Sequence, residues 1–178
     1  TDFTAGSGSY GVALGDLDGD GKADMAVSNY TAGTVSILRN TSVAGTIDAS
    51  SFAAKVDFTA GTNPYGVDIA DLDGDGKLDV VVSNYNSDNI SVFKNTSTPG
   101  TITAGSFATK VDFTTDIGPY VPRIADLDGD GKPDIAVTTW GGQAVSVLRN
   151  TSVTGAITAG SFSPKVDFAT PSGSIGLA

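Results

Sequence analysis

The sequence predicts an all-β fold of tandem four-stranded antiparallel blades of β-propeller type. Three observations predict it. A unit of 55 residues recurs three times without insertion or deletion, so that Asp16, Asp71 and Asp126 stand one step apart, as do Asn40, Asn95 and Asn150, Phe52, Phe107 and Phe162, and Lys55, Lys110 and Lys165. Each unit holds four short apolar or alternating segments separated by turns rich in Gly, Ser, Thr and Asp. No segment carries a sustained helical period with caps.

In the first unit, "YGVALGDL" (10–17) reads as a strand that runs into an acidic loop. "MAVSNY" (25–30) leaves that loop with the apolar, β-prone character of a buried strand. "TAG" turns the chain into a third strand, "TVSILRN" (34–40), and the polar loop "TSVAGTIDAS" follows. The fourth strand is "FAAKVDF" (52–58), where Phe52, Ala54, Val56 and Phe58 alternate with Ala53, Lys55 and Asp57. A period of two marks a strand with one buried face. The repeats run from about 1 to 55, 56 to 110 and 111 to 165, and a partial fourth, 166–178, is in phase with residues 1–13. A stacked β-solenoid is the runner-up, but its repeats are usually shorter. Propellers need about four to eight blades. Three repeats are therefore expected to be a slice of a longer array, or a protomer that adds head to tail to the next copy.

Composition narrows the function. The chain has 178 residues, 39% of them hydrophobic, and a net charge of −10 in which all 20 acidic residues are Asp. A polyanion of this kind suits neither nucleic acid nor an anionic membrane. With no cysteine and no histidine, disulfides and Cys- or His-based metal sites are excluded, and the commonest general base is missing. No apolar run reaches the roughly 18 residues of a membrane span. A chain that opens on Thr1 without a visible signal peptide is expected to be a mature or excised segment.

Twelve of the aspartates lie in three loops, "DLDGDGKAD" (16–24), "DLDGDGKLD" (71–79) and "DLDGDGKPD" (126–134). Crowded carboxylates repel by roughly 1 to 4 kcal/mol per pair, and a bound cation turns that repulsion into ligation. Carboxylates at loop positions 1, 3, 5 and 9, with glycine at 6, resemble the first part of an EF-hand loop, in which position 7 gives a backbone carbonyl. Position 12 of that loop, normally Glu, is Val27, Val82 or Val137 here, so the ninth residue must close the site. The expected ligands are Asp16, Asp18, Asp20, Asp24 and the Lys22 carbonyl; Asp71, Asp73, Asp75, Asp79 and the Lys77 carbonyl; and Asp126, Asp128, Asp130, Asp134 and the Lys132 carbonyl. The lysine ammonium groups are expected to stay in water. An all-oxygen, carboxylate-rich set selects a hard cation and favours Ca²⁺ over Mg²⁺, one ion per loop. Solvated turns are the plainer alternative for one such loop, and retention of every ligand position in three copies argues against it.

The unit resembles the FG-GAP/VCBS-type repeat of integrin α-subunit propellers and of large bacterial surface and secreted proteins. The resemblance rests on "DLDGDGKxD" followed by an apolar strand and covers essentially the whole chain. It implies Ca²⁺ held between blade strands by Asp16, Asp18, Asp20 and Asp24 and by their counterparts in the other two repeats. The letters FG and GAP that name the family are absent, so an integrin-like ligand-binding role does not carry over.

Glycosylation sequons stand at Asn29, Asn40, Asn89, Asn95 and Asn150; these asparagines also suit capping the turn after the third strand. Tyr10, Tyr65 and Tyr120 share one repeat position, and Tyr30, Tyr85 and Trp140 another. Such rings suit packing between blades better than stacking on sugars. Asp2, Asp57, Asp112 and Asp167 recur with the repeat and are expected to face outward as structure, not as a catalytic carboxylate pair. The sequence therefore predicts a non-enzymatic, Ca²⁺-binding structural or adhesive repeat protein, extracellular or on the cell surface. Its expected partners are copies of itself or further blades of the same protein, assembled head to tail into an array or fibre, with glycans as another candidate. The alternatives are a lectin-like propeller and an accessory domain of a secreted polysaccharide-active enzyme.

Overall fold

The computed structural model describes residues 2–171 and 176, and no helix occurs among them. Twelve strands form three antiparallel sheets of four. The first holds β1 (Ser9–Gly15), β2 (Asp24–Asn29), β3 (Thr34–Leu38) and β4 (Val56–Thr59); the second holds β5 (Pro64–Ala70), β6 (Asp79–Asn84), β7 (Asn89–Phe93) and β8 (Val111–Thr114). The third holds β9 (Pro119–Ala125), β10 (Asp134–Thr139), β11 (Ala144–Leu148) and β12 (Val166–Ala169). Each sheet is a meander in chain order, and β1, β5 and β9 lie side by side, as the innermost strands of neighbouring propeller blades do. The all-β expectation and the four strands per unit both hold.

Two details differ from the sequence reading. The fourth strand is shorter than 52–58: it begins at Val56, and Phe52 makes a lone bridge to Asn40. The cause is packing. Phe52, Phe107 and Phe162 leave the ladder to meet the aromatic ring before them, with centroids 4.8 Å apart for Phe3–Phe52, 5.0 Å for Phe58–Phe107 and 4.9 Å for Phe113–Phe162. In addition, Val166–Ala169 pairs with β11 and completes the third blade, so the start of the 166–178 stretch does not open a fourth. Residues 172–175, 177 and 178 of that stretch lie outside the described residues.

The apolar core lies between blades. Leu17, Ala26, Val35 and Ile37 meet Val67, Val80, Val82, Phe93 and Phe107 in one cluster. Leu72, Val81, Ile90 and Val92 meet Ile135, Val137, Leu148 and Phe162 in the next. The middle blade is covered on both faces, which is why β6 reads "DVVVSN" and is buried at every residue. Its counterpart β2, with one face covered, alternates over its first four residues. Each fully buried Val or Leu contributes about 1.5 to 3 kcal/mol, so most of the stability resides in these two junctions.

Polar contacts lock the same junctions. Ser28 on β2 accepts from the Gly11 amide at 2.9 Å and donates to the Tyr65 carbonyl at 2.5 Å; Ser83 repeats the bridge between Gly66 and Tyr120. The approach leaves no room for a side chain, since a Cβ on Gly66 would lie 2.4 Å from the Tyr120 carbonyl oxygen. At the rim, the loop after β7 grips the acidic loop of the first blade. Asn95 Nδ2 and Ser97 Oγ both donate to the Leu17 carbonyl, at 2.8 and 3.0 Å, and the Gly100 amide donates to the Asp18 carbonyl at 2.9 Å. Asn150, Ser152 and Gly155 grip Leu72 and Asp73 in the same way.

Candidate metal centres

Each acidic loop connects the first two strands of its blade, and its ninth residue opens the second. Asp24, Asp79 and Asp134 are buried. Their carboxylates hold the loop shut: Asp24 Oδ2 accepts from the Leu17 amide at 2.9 Å, and Oδ1 from the Asn40 amide at 2.7 Å. Asp79 and Asp134 accept from Leu72 and Asn95, and from Leu127 and Asn150. Within the loop, Asp16 accepts from the amides of Asp20 and Gly21, at 3.0 and 2.8 Å. Gly21, Gly76 and Gly131 adopt φ of 85 to 87°, as the turn at position 6 requires. Gly19, Gly74 and Gly129, at position 4, also adopt positive φ, of 69 to 81°, a demand that the ligand spacing alone does not reveal.

The fold brings together Asp16, Asp18 and Asp24; Asp71, Asp73 and Asp79; and Asp126, Asp128 and Asp134, with one carboxylate oxygen of each residue within 4.8 Å of the others in its set. Two oxygens on opposite sides of Ca²⁺, each at about 2.4 Å, lie about 4.8 Å apart, so the sets have the right size for that ion. Asp18 supplies a second, independent sign. It is 1% exposed, yet its Oδ2 accepts no hydrogen bond, and the nearest cation is Arg39 Nη1 at 3.9 Å. A buried anionic oxygen without a partner is costly, and a metal ion would satisfy it. The residues present therefore fit a hard divalent cation.

Asp20, Asp75 and Asp130 are not gathered into these sets. Asp75 Oδ2 takes Lys94 Nζ at 2.5 Å, and Asp130 Oδ2 takes Arg149 Nη2 at 3.0 Å. Lys94 also pairs with Asp73, and Arg149 Nε with Asp128 at 2.5 Å. Arg39, Lys94 and Arg149 share one repeat position beside the acidic loops. Sequence reasoning missed them, although a basic residue recurring every 55 residues in a polyanion was a signal that could have found them. Lys22 is exposed, as expected. Lys77 and Lys132 are not left to water: their ammonium groups donate to the Ser97 and Ser152 carbonyls at 2.7 Å, because the next loop of the same blade folds over them.

Burial sets the electrostatics. It pushes the Asp79 carboxyl up to about 7, helped by Asp73 and opposed by the Asn95 amide, and it raises Asp24 and Asp18 as well. A group that holds its proton more tightly folded than unfolded stabilises the fold below its unfolded value, near 4, and that stability is lost as pH rises toward 7. The carboxyls held low, among them Asp75, where the Lys94 ammonium outweighs burial, and Asp128, through Arg149, contribute stability that is fully present above about pH 4 and lost only as pH falls below it. Metal-stripped protein is therefore expected to unfold at lower denaturant concentration at about pH 7.5 than at about pH 5. Equilibrium unfolding in chelator at the two values checks this, and a higher midpoint at pH 7.5 would contradict the assignment of Asp79.

A family model described as an FG-GAP-like repeat matches residues 16–82 and 73–137, more than half of the chain. The chain belongs to the FG-GAP-like repeat family. No curated protein matches it. The first FG-GAP-like match opens on Asp16, the first residue of an acidic loop, and the second on Asp73, inside the next, so the loops and the strands after them lie within the family's own pattern.

Other repeated residues of this FG-GAP-like chain serve its architecture. Asn29, Asn95 and Asn150 are buried, and the amide nitrogen to which a glycan would attach donates to Thr34 and Ser36, to Leu17 and Leu78, and to Leu72 and Pro133 respectively. A glycan at any of the three would have to break the fold, which corrects the sequon reading there. Asn40, Asn95 and Asn150 instead accept from the amide two residues on, at 2.8 to 2.9 Å, and cap the turn after the third strand. Asn40 and Asn89 are half-buried; Asn40 Nδ2 donates to the Ala23 carbonyl, and Asn89 Oδ1 accepts from Asn84. The repeated tyrosines touch one another across blades, as the packing reading requires. Asp57, Asp112 and Asp167 face outward, accept from Ser36, Ser91 and Ser146 at 2.6 Å, and pair with Lys55, Lys110 and Lys165. Asp2 is likewise exposed.

Proposed function

We propose that the chain is a non-enzymatic, Ca²⁺-binding structural or adhesive array, extracellular or on the cell surface, that joins further blades of its own kind head to tail. The observation that carries the proposal is the threefold acidic cage with the unpartnered Asp18 oxygen. Ca²⁺ is favoured over softer metals by the donor set, all oxygen with no thiolate or imidazole. An extracellular setting is favoured because millimolar Ca²⁺ fills even weak sites of this kind. No helix among the described residues is long and apolar enough to cross a membrane.

Head-to-tail joining is supported by the acidic loops themselves. Leu17 and Leu72 are 1% exposed, each covered by the blade that follows, whereas Leu127 is 55% exposed. The first blade carries the complementary loop, with Asn40, Ser42 and Gly45 at the positions that grip the preceding blade elsewhere. A contact between these surfaces is heterologous, so it propagates into a ring or a filament. The partner is a second copy of the chain or a further blade of the same protein. Light scattering in millimolar Ca²⁺ tests the copy-to-copy contact: concentration-dependent oligomers are expected, and Leu127→Asp should leave folded monomers whose melting temperature no longer rises with protein concentration. Strictly monomeric wild-type protein at high concentration would defeat the contact while leaving the cation sites in place.

A further inference from the structure

All five tyrosines and the one tryptophan of the chain meet in a single ladder along the innermost strands. Tyr10, Tyr65 and Tyr120 form its spine, with ring centroids 4.7 and 4.3 Å apart and planes tilted by 34° and 52°. Tyr30, Tyr85 and Trp140 flank them at 5.2, 5.4 and 5.9 Å. Tyr65 is the hub, in ring contact with Tyr10, Tyr30, Tyr85 and Tyr120. The ladder is open to solvent at both ends: Tyr10 is 60% and Trp140 45% exposed. Oxidisable side chains elsewhere are nearly absent, since the chain has no Cys, no His and one Met.

We propose that this ladder is an oxidative cross-linking site, at which a one-electron oxidant of the haem-peroxidase class, fed by hydrogen peroxide, couples Tyr65 to Tyr10 or Tyr120 and staples neighbouring blades. Each tyrosine gives up one electron with its phenolic proton and becomes a phenoxyl radical. The two radicals join through ring carbons ortho to the hydroxyls, and each of those carbons then loses its hydrogen to the phenoxyl oxygen as the rings regain aromaticity. One hydrogen peroxide takes up the two electrons and two protons and leaves as two waters. Oxidant reaches the exposed rings, Tyr10 and Trp140, and the ring contacts pass the radical inward to Tyr65. Burial and the neighbouring phenols push the Tyr65 and Tyr120 hydroxyls up, so electron and proton leave together. The spine rings are in van der Waals contact and belong to different blades, so a radical pair there joins residues about 55 apart in sequence. A chain without disulfides would gain a covalent tie between its blades.

The full chain, treated with a haem peroxidase and limiting hydrogen peroxide, tests the proposal without reference to Ca²⁺. Expected are dityrosine fluorescence, a mass loss of two hydrogens per link in material that still runs as one chain, and a digest peptide joining Tyr65 to Tyr10 or Tyr120. Tyr65→Phe should lose both links, while Tyr30→Phe keeps them; circular dichroism checks that each variant retains its strands. Should Tyr65→Phe misfold, the wild-type digest compared with that of the urea-unfolded chain decides alone. Equal yields folded and unfolded, links only between chains, or products confined to hydroxylated tyrosine and Met25 sulfoxide would overturn the proposal.

Discussion

Chelation is expected to lower the melting temperature of this chain by tens of degrees. A site with a dissociation constant of about 10⁻⁴ M, in the range of extracellular modules, gains roughly 2.7 kcal/mol at a hundredfold excess of Ca²⁺. Three independent sites sum to about 8 kcal/mol, and a domain of this size shifts by about 2 to 4 °C per kcal/mol. Scanning calorimetry in 10 mM Ca²⁺ and in excess chelator would show it, and coincident transitions would sink the metal assignment. Asp79→Ala separates liganding from loop closure. It removes a cage oxygen and also strands the Leu72 and Asn95 amides, so it should destabilise even the chelated protein. Asp71→Asn leaves the buried closure intact and should cost little in chelator, with most of its effect appearing as lost Ca²⁺ stabilisation.

The fold was legible because the repeat is so regular. Fixed spacing of Asp16, Asp71 and Asp126 fixes the unit, but β2 and β6 are both apolar runs in sequence, and only their burial in the fold shows which blade is covered on both faces. The acidic clusters were legible because the carboxylates that each one gathers lie within nine residues of chain. What escaped was long-range. Asn95 lies 78 residues from the Leu17 carbonyl it grips, and nothing local in "KNTSTPG" distinguishes an inter-blade clamp from a sequon. The ion pairs of Lys94 and Arg149 escaped for a similar reason: recurrence every 55 residues marks the basic position, but nothing local places its head group over a loop two strands back. Phe52 misled in another way, since strict alternation through 52–58 suits a longer strand, but the ring gains more by filling the gap beside Phe3 than by extending the ladder.

The clamp yields the other large expected effect. Asn95→Ala removes two donors and one acceptor at a buried site, leaving the Leu17 and Leu78 carbonyls and the Ser97 amide without that partner. At about 1 to 3 kcal/mol per stranded group, partly relieved by relaxation and by Ser97 Oγ on Leu17, the cost is about 3 to 5 kcal/mol. Asn150→Ala should match it, since every contact recurs one repeat later. Asn40→Ala is the internal control: Asn40 is half-buried, with one donation to Ala23 and one acceptance from Ser42, so about 1 kcal/mol is expected. Asn95→Asp isolates the donors, for it keeps the acceptor toward Ser97 but turns a carboxylate on two carbonyl oxygens. It should be at least as damaging as the alanine. Urea unfolding of the four variants measures the series. If Asn40 and Asn95 cost the same, blade coupling does not run through the clamp, and the two apolar clusters alone hold the array together.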